Sequence, residues 1–165
     1  MNYKVNVGWS KSNIVITIII FMIVIAAGYS CLMTNQITIG KIIIISLLTI
    51  VLMTIGLLIP FKIEITNKEL LIYRFIGVKH VLITNISDCG LSYIPISVKV
   101  CGSGGFCGNI GWYKAPDFGI YFSYVLNKKR AFYLILKNRR KYMLSCNDPD
   151  KIVSVIKELQ NNTKS

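Results

Sequence analysis

Two uninterrupted apolar stretches stand at the head of the chain, and a series of short alternating segments follows them. No charged residue occurs from Ile14 to Leu32 (IVITIIIFMIVIAAGYSCL) or from Ile42 to Ile59 (IIIISLLTIVLMTIGLLI). As helices these stretches reach about 27 to 28 Å at 1.5 Å per residue, which matches a hydrocarbon core of roughly 30 Å. Isoleucine is a modest helix former in water, but in lipid every backbone amide must be paired internally, and a helix does this within one segment. The pattern therefore predicts a membrane protein with an N-terminal transmembrane hairpin, spans 14–32 and 42–59, joined by the polar turn Met33 to Lys41 (MTNQITIGK). Lys4 and Lys11 precede the first span and Lys62 and Lys68 follow the second, while the turn holds only Lys41. The positive-inside rule then places the N-terminus and the C-terminal domain in the cytoplasm, at the cell membrane. A cleaved signal sequence, hinted at by Ala26 and Ala27, is disfavoured because the apolar run is long and a second one follows. A lipoprotein site at Cys31 would want an aliphatic residue where Gly28 stands. Gly28 and Gly56 would let the two helices approach closely, without any small-xxx-small pair that specifies a dimer.

After Pro60 the apolar period shortens to that of strands. Phe61 to Thr66 alternates, Asn67-Lys68 turns, and Glu69 to Phe75 returns; Gly77 permits a further turn before Val78 to Ile83. The polar stretch Thr84 to Gly90 reads as a connection ahead of Leu91 to Val100, where Pro95 argues for an edge or a bulge. Cys101 to Gly111 reads as a glycine loop, and strands are expected at Ile120 to Leu126, Ala131 to Lys137 and Lys141 to Cys146. Asp148 as N-cap, Pro149 in the first turn and a stripe of Ile152, Ile156 and Leu159, widened by Val153 and Val155, predict a closing helix. The residues after it, 161–165, are expected to fray. About seven strands and a helix in a hundred residues would leave bare edges unless the sheet curls, so a small β-barrel capped by the helix is the expected architecture.

Composition sharpens this division. The chain has 165 residues, 53% hydrophobic and 16% charged, with a net charge of +12. Residues 1–60 contain three lysines and no acid, whereas 61–165 hold sixteen basic and seven acidic residues. Disordered, collagen-like and disulfide-scaffold classes are excluded. The positive charges interleave with the acids rather than forming an aromatic-studded stripe, so no nucleic-acid partner is expected.

Strands followed by one C-terminal helix is also the order of a known family. The stretch FKIEITNKELLIYRFIGVKHVLITNISDCGL, with its tight first hairpin and the turn ITNIS, resembles the opening of bacterial pleckstrin-homology-like (PH-like) domains. The tail KNRRKYMLSCNDPDKIVSVIKEL, with Ser145, Asp148 and Pro149 before an amphipathic helix, resembles their end. Many bacterial PH-like proteins place this domain after a pair of membrane helices. The resemblance implies residues 1–60 as tail and hairpin, 61–160 as a PH-like barrel, and a binding or scaffolding role. It names no ligand, and the first hairpin lacks a basic lipid-binding signature, offering only Lys68.

Candidate chemistry is sparse. Gly102, Gly104, Gly105, Gly108 and Gly111 fit neither the dinucleotide fingerprint nor a P-loop. They read either as a flexible crossing or as the support of an exposed partner-binding tip made by Phe106, Trp112 and Tyr113. Five cysteines (31, 89, 101, 107 and 146) lack metal-site spacing and read as small buried hydrophobes, with a redox role for Cys101 and Cys107 the weaker alternative. His80, the sole histidine, reads as a core or rim residue. Two basic turns, Lys128-Lys129-Arg130 and Arg139-Arg140-Lys141, lie at opposite ends of one strand, so at most one can face a membrane; Arg139, Arg140 and Lys141 are the candidate contacts for anionic headgroups. The expectation is a membrane-anchored scaffold without catalytic site or cofactor. Its PH-like domain would recruit a protein partner or self-associate at the cytoplasmic face, and the alternative is a regulator responsive to anionic lipid.

Overall fold

The computed structural model describes residues 2–33, 39–92 and 97–164. The segment ahead of the first apolar run is itself structured: Tyr3–Asn6 forms strand β1. Helix α1 (Lys11–Met33) follows, begun by Ser10, whose hydroxyl accepts the Asn13 N–H at 3.3 Å. That cap starts the helix three residues before the apolar run does. Helix α2 (Ile39–Leu57) ends ahead of Pro60. Both helices are long and apolar enough to cross a membrane, with a mean hydropathy of 2.3 over Lys11–Ser30 and over Ile39–Leu57. Ile25, Ile44 and Met53 are each about two-thirds exposed, and no residue of α2 is buried. Such a surface would promote aggregation in water and is compatible with a membrane protein. Most of the predicted turn between the helices lies outside the described residues.

The rest is mainly β, followed by a C-terminal helix. Strands β2 (Pro60–Ile65), β3 (Glu69–Arg74) and β4 (Val78–Leu82) join β1 in a four-stranded antiparallel sheet of order β1-β2-β3-β4. Then come β5 (Ile86–Leu91), β6 (Val98–Gly105), β7 (Gly108–Ala115), β8 (Gly119–Val125), β9 (Ala131–Leu136) and β10 (Lys141–Ser145). These form a six-stranded sheet of order β5-β9-β10-β8-β7-β6, in which β8 and β10 run parallel. Ile63, Ile65, Leu70 and Ile72 of the first sheet face Phe132, Leu134 and Leu144 of the second in one core, all of them fully buried. Burying each such side chain contributes about 1.5–3 kcal/mol.

Three expectations are corrected here. The predicted seven-stranded barrel is replaced by two sheets that do not close. The reason lies at Ile83–Asn85, a 3-10 turn whose Ile83 N–H is captured by the Lys68 carbonyl at 2.9 Å. It swings the chain out of the first sheet, so β5 pairs with β9 rather than with β4. Second, part of the expected polar connection Thr84 to Gly90 is β5, whose buried Ile86 and Cys89 supply the core side; of the strand expected over Leu91 to Val100, Leu91 ends β5 and Val98 begins β6, and residues 93–96 lie outside the described residues. Pro95 lies outside the described residues. Third, helix α3 (Pro149–Lys164) continues past Gln160 instead of fraying there. It covers the seam the sheets leave open: Ile152 and Ile156 are fully buried, and the Gln160 side-chain amide donates to the Ile86 carbonyl at 2.7 Å.

Ser145 shows how the parallel β8–β10 pair is terminated. Its buried hydroxyl accepts the N–H groups of Leu126 and Asn127 at 2.9 and 3.2 Å, two donors that no strand reaches.

The first sheet is sewn to the N-terminal segment by charge as well as by its ladder. Glu64 is buried, stands opposite Lys4 in the β1–β2 register, and has its carboxylate 3.2 Å from the Lys4 ammonium and 3.4 Å from that of Lys62. Burial pushes its pKa up, but hydrogen bonds and charge from the two lysines outweigh this and hold it below the ordinary 4.5. A carboxyl with a depressed folded-state pKa stabilises above its unfolded value, and that stability is lost as pH falls through the folded value. Glu64→Gln should therefore lower the urea midpoint of the full-length protein in detergent at pH 7, with the difference from wild type closing below pH 4.5. A pH-independent difference would show that the lysine pair does not act through charge.

Candidate functional site

The glycine-rich segment is a β-hairpin rather than a loop. Gly102 and Gly111 stand opposite each other in β6 and β7 with φ of +130° and +135°. A Cβ on either would come within 2.2 Å of a carbonyl oxygen on the other strand, so only glycine permits this backbone approach. The hairpin turns through Phe106 and Cys107, the latter with φ of +54°. Its tip is seated on α1. The Cys107 N–H donates to the Thr17 hydroxyl at 3.0 Å, that hydroxyl donates to the Asn13 carbonyl at 2.7 Å, and the Phe106 ring lies 6.0 Å from that of Phe21.

Phe106, Trp112 and Tyr113 do not form the shared exposed tip expected of them. Phe106 is buried at the hairpin tip, and strand alternation sends Trp112 and Tyr113 to opposite faces of β7. Tyr113 is buried, stacks on Tyr121 at 6.0 Å and donates its hydroxyl to the Ser103 carbonyl; burial, with the Tyr121 charge adding, pushes its pKa up to about 12. Trp112 alone is open, at 45% exposure. It heads an aromatic row along the inner face of the sheet, edge-on to Phe122 at 5.2 Å, with Phe122 against Tyr124 at 4.7 Å. Arg74 reaches this row from β3, donating to the Tyr124 hydroxyl at 3.3 Å, and its buried Nε has no partner. Val98 and Val100 on β6 and Ile120 on β8 are exposed beside Trp112, and β6 is the last strand of its sheet.

The two basic turns also divide differently from expectation. Arg139 and Arg140 are exposed at the β9–β10 turn, but Lys141 donates to the Phe118 carbonyl at 2.6 Å and lies 5.0 Å over the Phe118 ring. Lys141 thus holds the β7–β8 connection and does not act with the arginines. At the other end of β9, Lys128 and Lys129 border an open cleft of about 1330 Å³ between the start of α1 and the β6–β7 hairpin, together with Lys11 and Lys99. The sequence hid this cluster because its lysines come from three distant segments.

The family model described as Bacterial PH domain matches residues 61–160. The chain belongs to the bacterial PH domain family. Among curated proteins and among solved structures, no significant match to the chain is found.

Cys89, Cys107 and Cys146 are buried and unbonded; burial raises each thiol pKa, that of Cys146 to about 12, which leaves them protonated and poorly nucleophilic at neutral pH. Cys101 is exposed and far along the hairpin from the buried tip residue Cys107. His80 is on the outer face of β4, its Nδ1 2.7 Å from the Glu69 carboxylate, and is not a core residue. The side chain of Cys31 lies outside the described residues. No group of three or more His, Cys, Asp or Glu side chains converges among the described residues.

The glycine pair makes a sharp prediction. Gly102→Ala or Gly111→Ala should cost about 2 kcal/mol or more in urea unfolding, through left-handed strain and backbone overlap. Gly104→Ala, whose Cβ would meet nothing nearer than the Tyr113 hydroxyl at 3.5 Å, should change stability by less than about 1 kcal/mol. Equal effects at all three positions would refute the close-approach account.

Proposed function

We propose that the protein is a non-catalytic binding module held at the cytoplasmic face of the cell membrane by α1 and α2, and that its PH domain recruits a protein partner through the surface around Trp112. Family membership supports a binding or scaffolding role, and the two apolar helices support the anchor. One observation carries the location. The outermost strand β6 presents exposed Val98 and Val100 beside the exposed Trp112 and Ile120. An edge strand unpaired among the described residues, next to an aromatic anchor, offers a partner both main-chain pairing and a desolvating contact. Self-association through this edge is the same reading with a second copy as partner.

Trp112→Ala combined with Val100→Lys should abolish the adducts that the full-length protein forms on cross-linking in intact cells, since truncating a central Trp typically costs about 2 kcal/mol or more. Arg139→Glu, remote from β6, should leave them. Identical adducts from wild type and the double variant would overturn the assignment. Orientation is tested separately: a reporter active only outside the cytoplasm, fused after Ser165, should stay silent, and activity there would reverse the proposed topology.

A further inference from the structure

The cleft at the start of α1 gathers four lysines around one concavity. Lys11 comes from the first turn of α1, Lys99 from β6, and Lys128 and Lys129 from the 3-10 turn after β8. None of the seven acidic residues of the chain lines it, and none of the four lysines forms an ion pair among the described residues. Four like charges facing a shared space repel one another unless an anion enters, so the cleft selects for negative charge. Gly104 contributes to its shape: the Lys99 ammonium lies 4.0 Å from where a Cβ of residue 104 would stand.

Its position narrows the anion. The lining runs along α1 from Lys11 to Ile16, and the apolar stretch of α1 begins at Ile14. The cleft therefore opens at the polar–apolar boundary of the helix. In a bilayer that is the level of the headgroups, a layer of about 5–8 Å on each side of the hydrocarbon core. Ile16 gives the cleft one apolar wall on the hydrocarbon side, where an acyl chain would continue from a bound phosphate and a free inorganic ion would gain nothing.

We infer that this cleft seats the phosphate of an anionic phospholipid from the surrounding leaflet, with Lys11, Lys99, Lys128 and Lys129 as its cationic contacts. The lipid source rests on the membrane reading above; the cationic cleft does not. Arg139 and Arg140, the basic turn at the opposite end of β9, are outside this site.

Trp9 lines the same cleft and serves as its reporter, in a Trp112→Phe background so that it is the remaining tryptophan. The full-length protein in neutral detergent is titrated with dihexanoyl-phosphatidylglycerol, dihexanoyl-phosphatidylcholine and inorganic phosphate. The anionic lipid should give a saturable change in Trp9 fluorescence that the zwitterionic lipid and phosphate do not. Lys99→Gln with Lys128→Gln should weaken it about 25-fold, about five-fold for each lysine removed. Arg139→Gln with Arg140→Gln should change it by less than about two-fold. Equal response to both lipids, tighter response to inorganic phosphate than to lipid, or unchanged affinity in the lysine variant would each overturn the inference. Carbonate extraction of cell membranes tests the anchor independently: release of the protein would refute the membrane reading, while the titration would still decide the cleft.

Discussion

The pairing of β1 with β2 is the constraint from which the remaining geometry follows. The two strands are neighbours in one sheet, with Asn6 opposite Lys62, yet α1 and α2 lie between them in the chain. The helix pair is thus an insertion between adjacent strands, and its two domain-side ends are held together whatever surrounds the far end. Val7 N–H donates to the Phe61 carbonyl at 3.0 Å and Ser10 N–H to the Leu126 carbonyl at 3.1 Å, so the segment leading into α1 is bound to both sheets. Ile76 N–H donates to the Leu57 carbonyl at 3.0 Å and fixes the end of α2 against the β3–β4 turn. A rigid junction results, and the core runs into it without a break through Ile20, Leu52, Ile55 and Leu58.

That junction explains why the glycine hairpin is built as it is. The hairpin edge that reaches α1 brings its two backbones together where Gly102 stands opposite Gly111, and a Cβ on either would overlap the other strand's carbonyl oxygen. The tip residues of the hairpin dock on α1. Phe106 packs on Phe21, and the otherwise unpaired Cys107 N–H finds the Thr17 hydroxyl, a helix side chain whose own proton is already given to Asn13. Leaving that amide buried and unpaired would cost about 1–3 kcal/mol. The threonine amid isoleucines is thereby explained by a contact ninety residues away in sequence.

Much of the fold was legible in local pattern. The apolar runs, the alternation in β2, β3, β8, β9 and β10, and the proline-led α3 with its stripe at Ile152 and Ile156 are features a short window reveals. What escaped depends on partners remote in sequence. β1 is four residues with one buried side chain, Val5, and becomes a strand because Ile63 and Glu64 are there to pair with it. β5 reads as polar because Ser87 and Asp88 face outward, while Ile86 and Cys89 alone carry its buried side. The passage from the first sheet to the second is marked by the captured amide at Ile83, which no hydrophobic pattern reports. Phe106 and Tyr113 were misjudged for a related reason: aromatic residues beside glycines look exposed until the helix and the Tyr121 ring that cover them are known.

The β6–β7 hairpin finally presents three surfaces with three different demands. Its tip is spent on α1. One face bears Lys99 over the lysine cleft, and the other bears Val98 and Trp112 on the aromatic row. Because β-strand side chains alternate, neighbouring residues can serve a charged site and an apolar one without competing for space. Strands β6 and β7 form the edge of the six-stranded sheet, with β7 paired to β8 from Asn109 to Ala115, the tip held on α1 and the backbones in close approach at Gly102 and Gly111. The proposed headgroup cleft and the proposed partner edge are therefore mechanically one element. Lys99, which lines the cleft, and Val98, which is exposed at the sheet edge, are consecutive residues of that one strand.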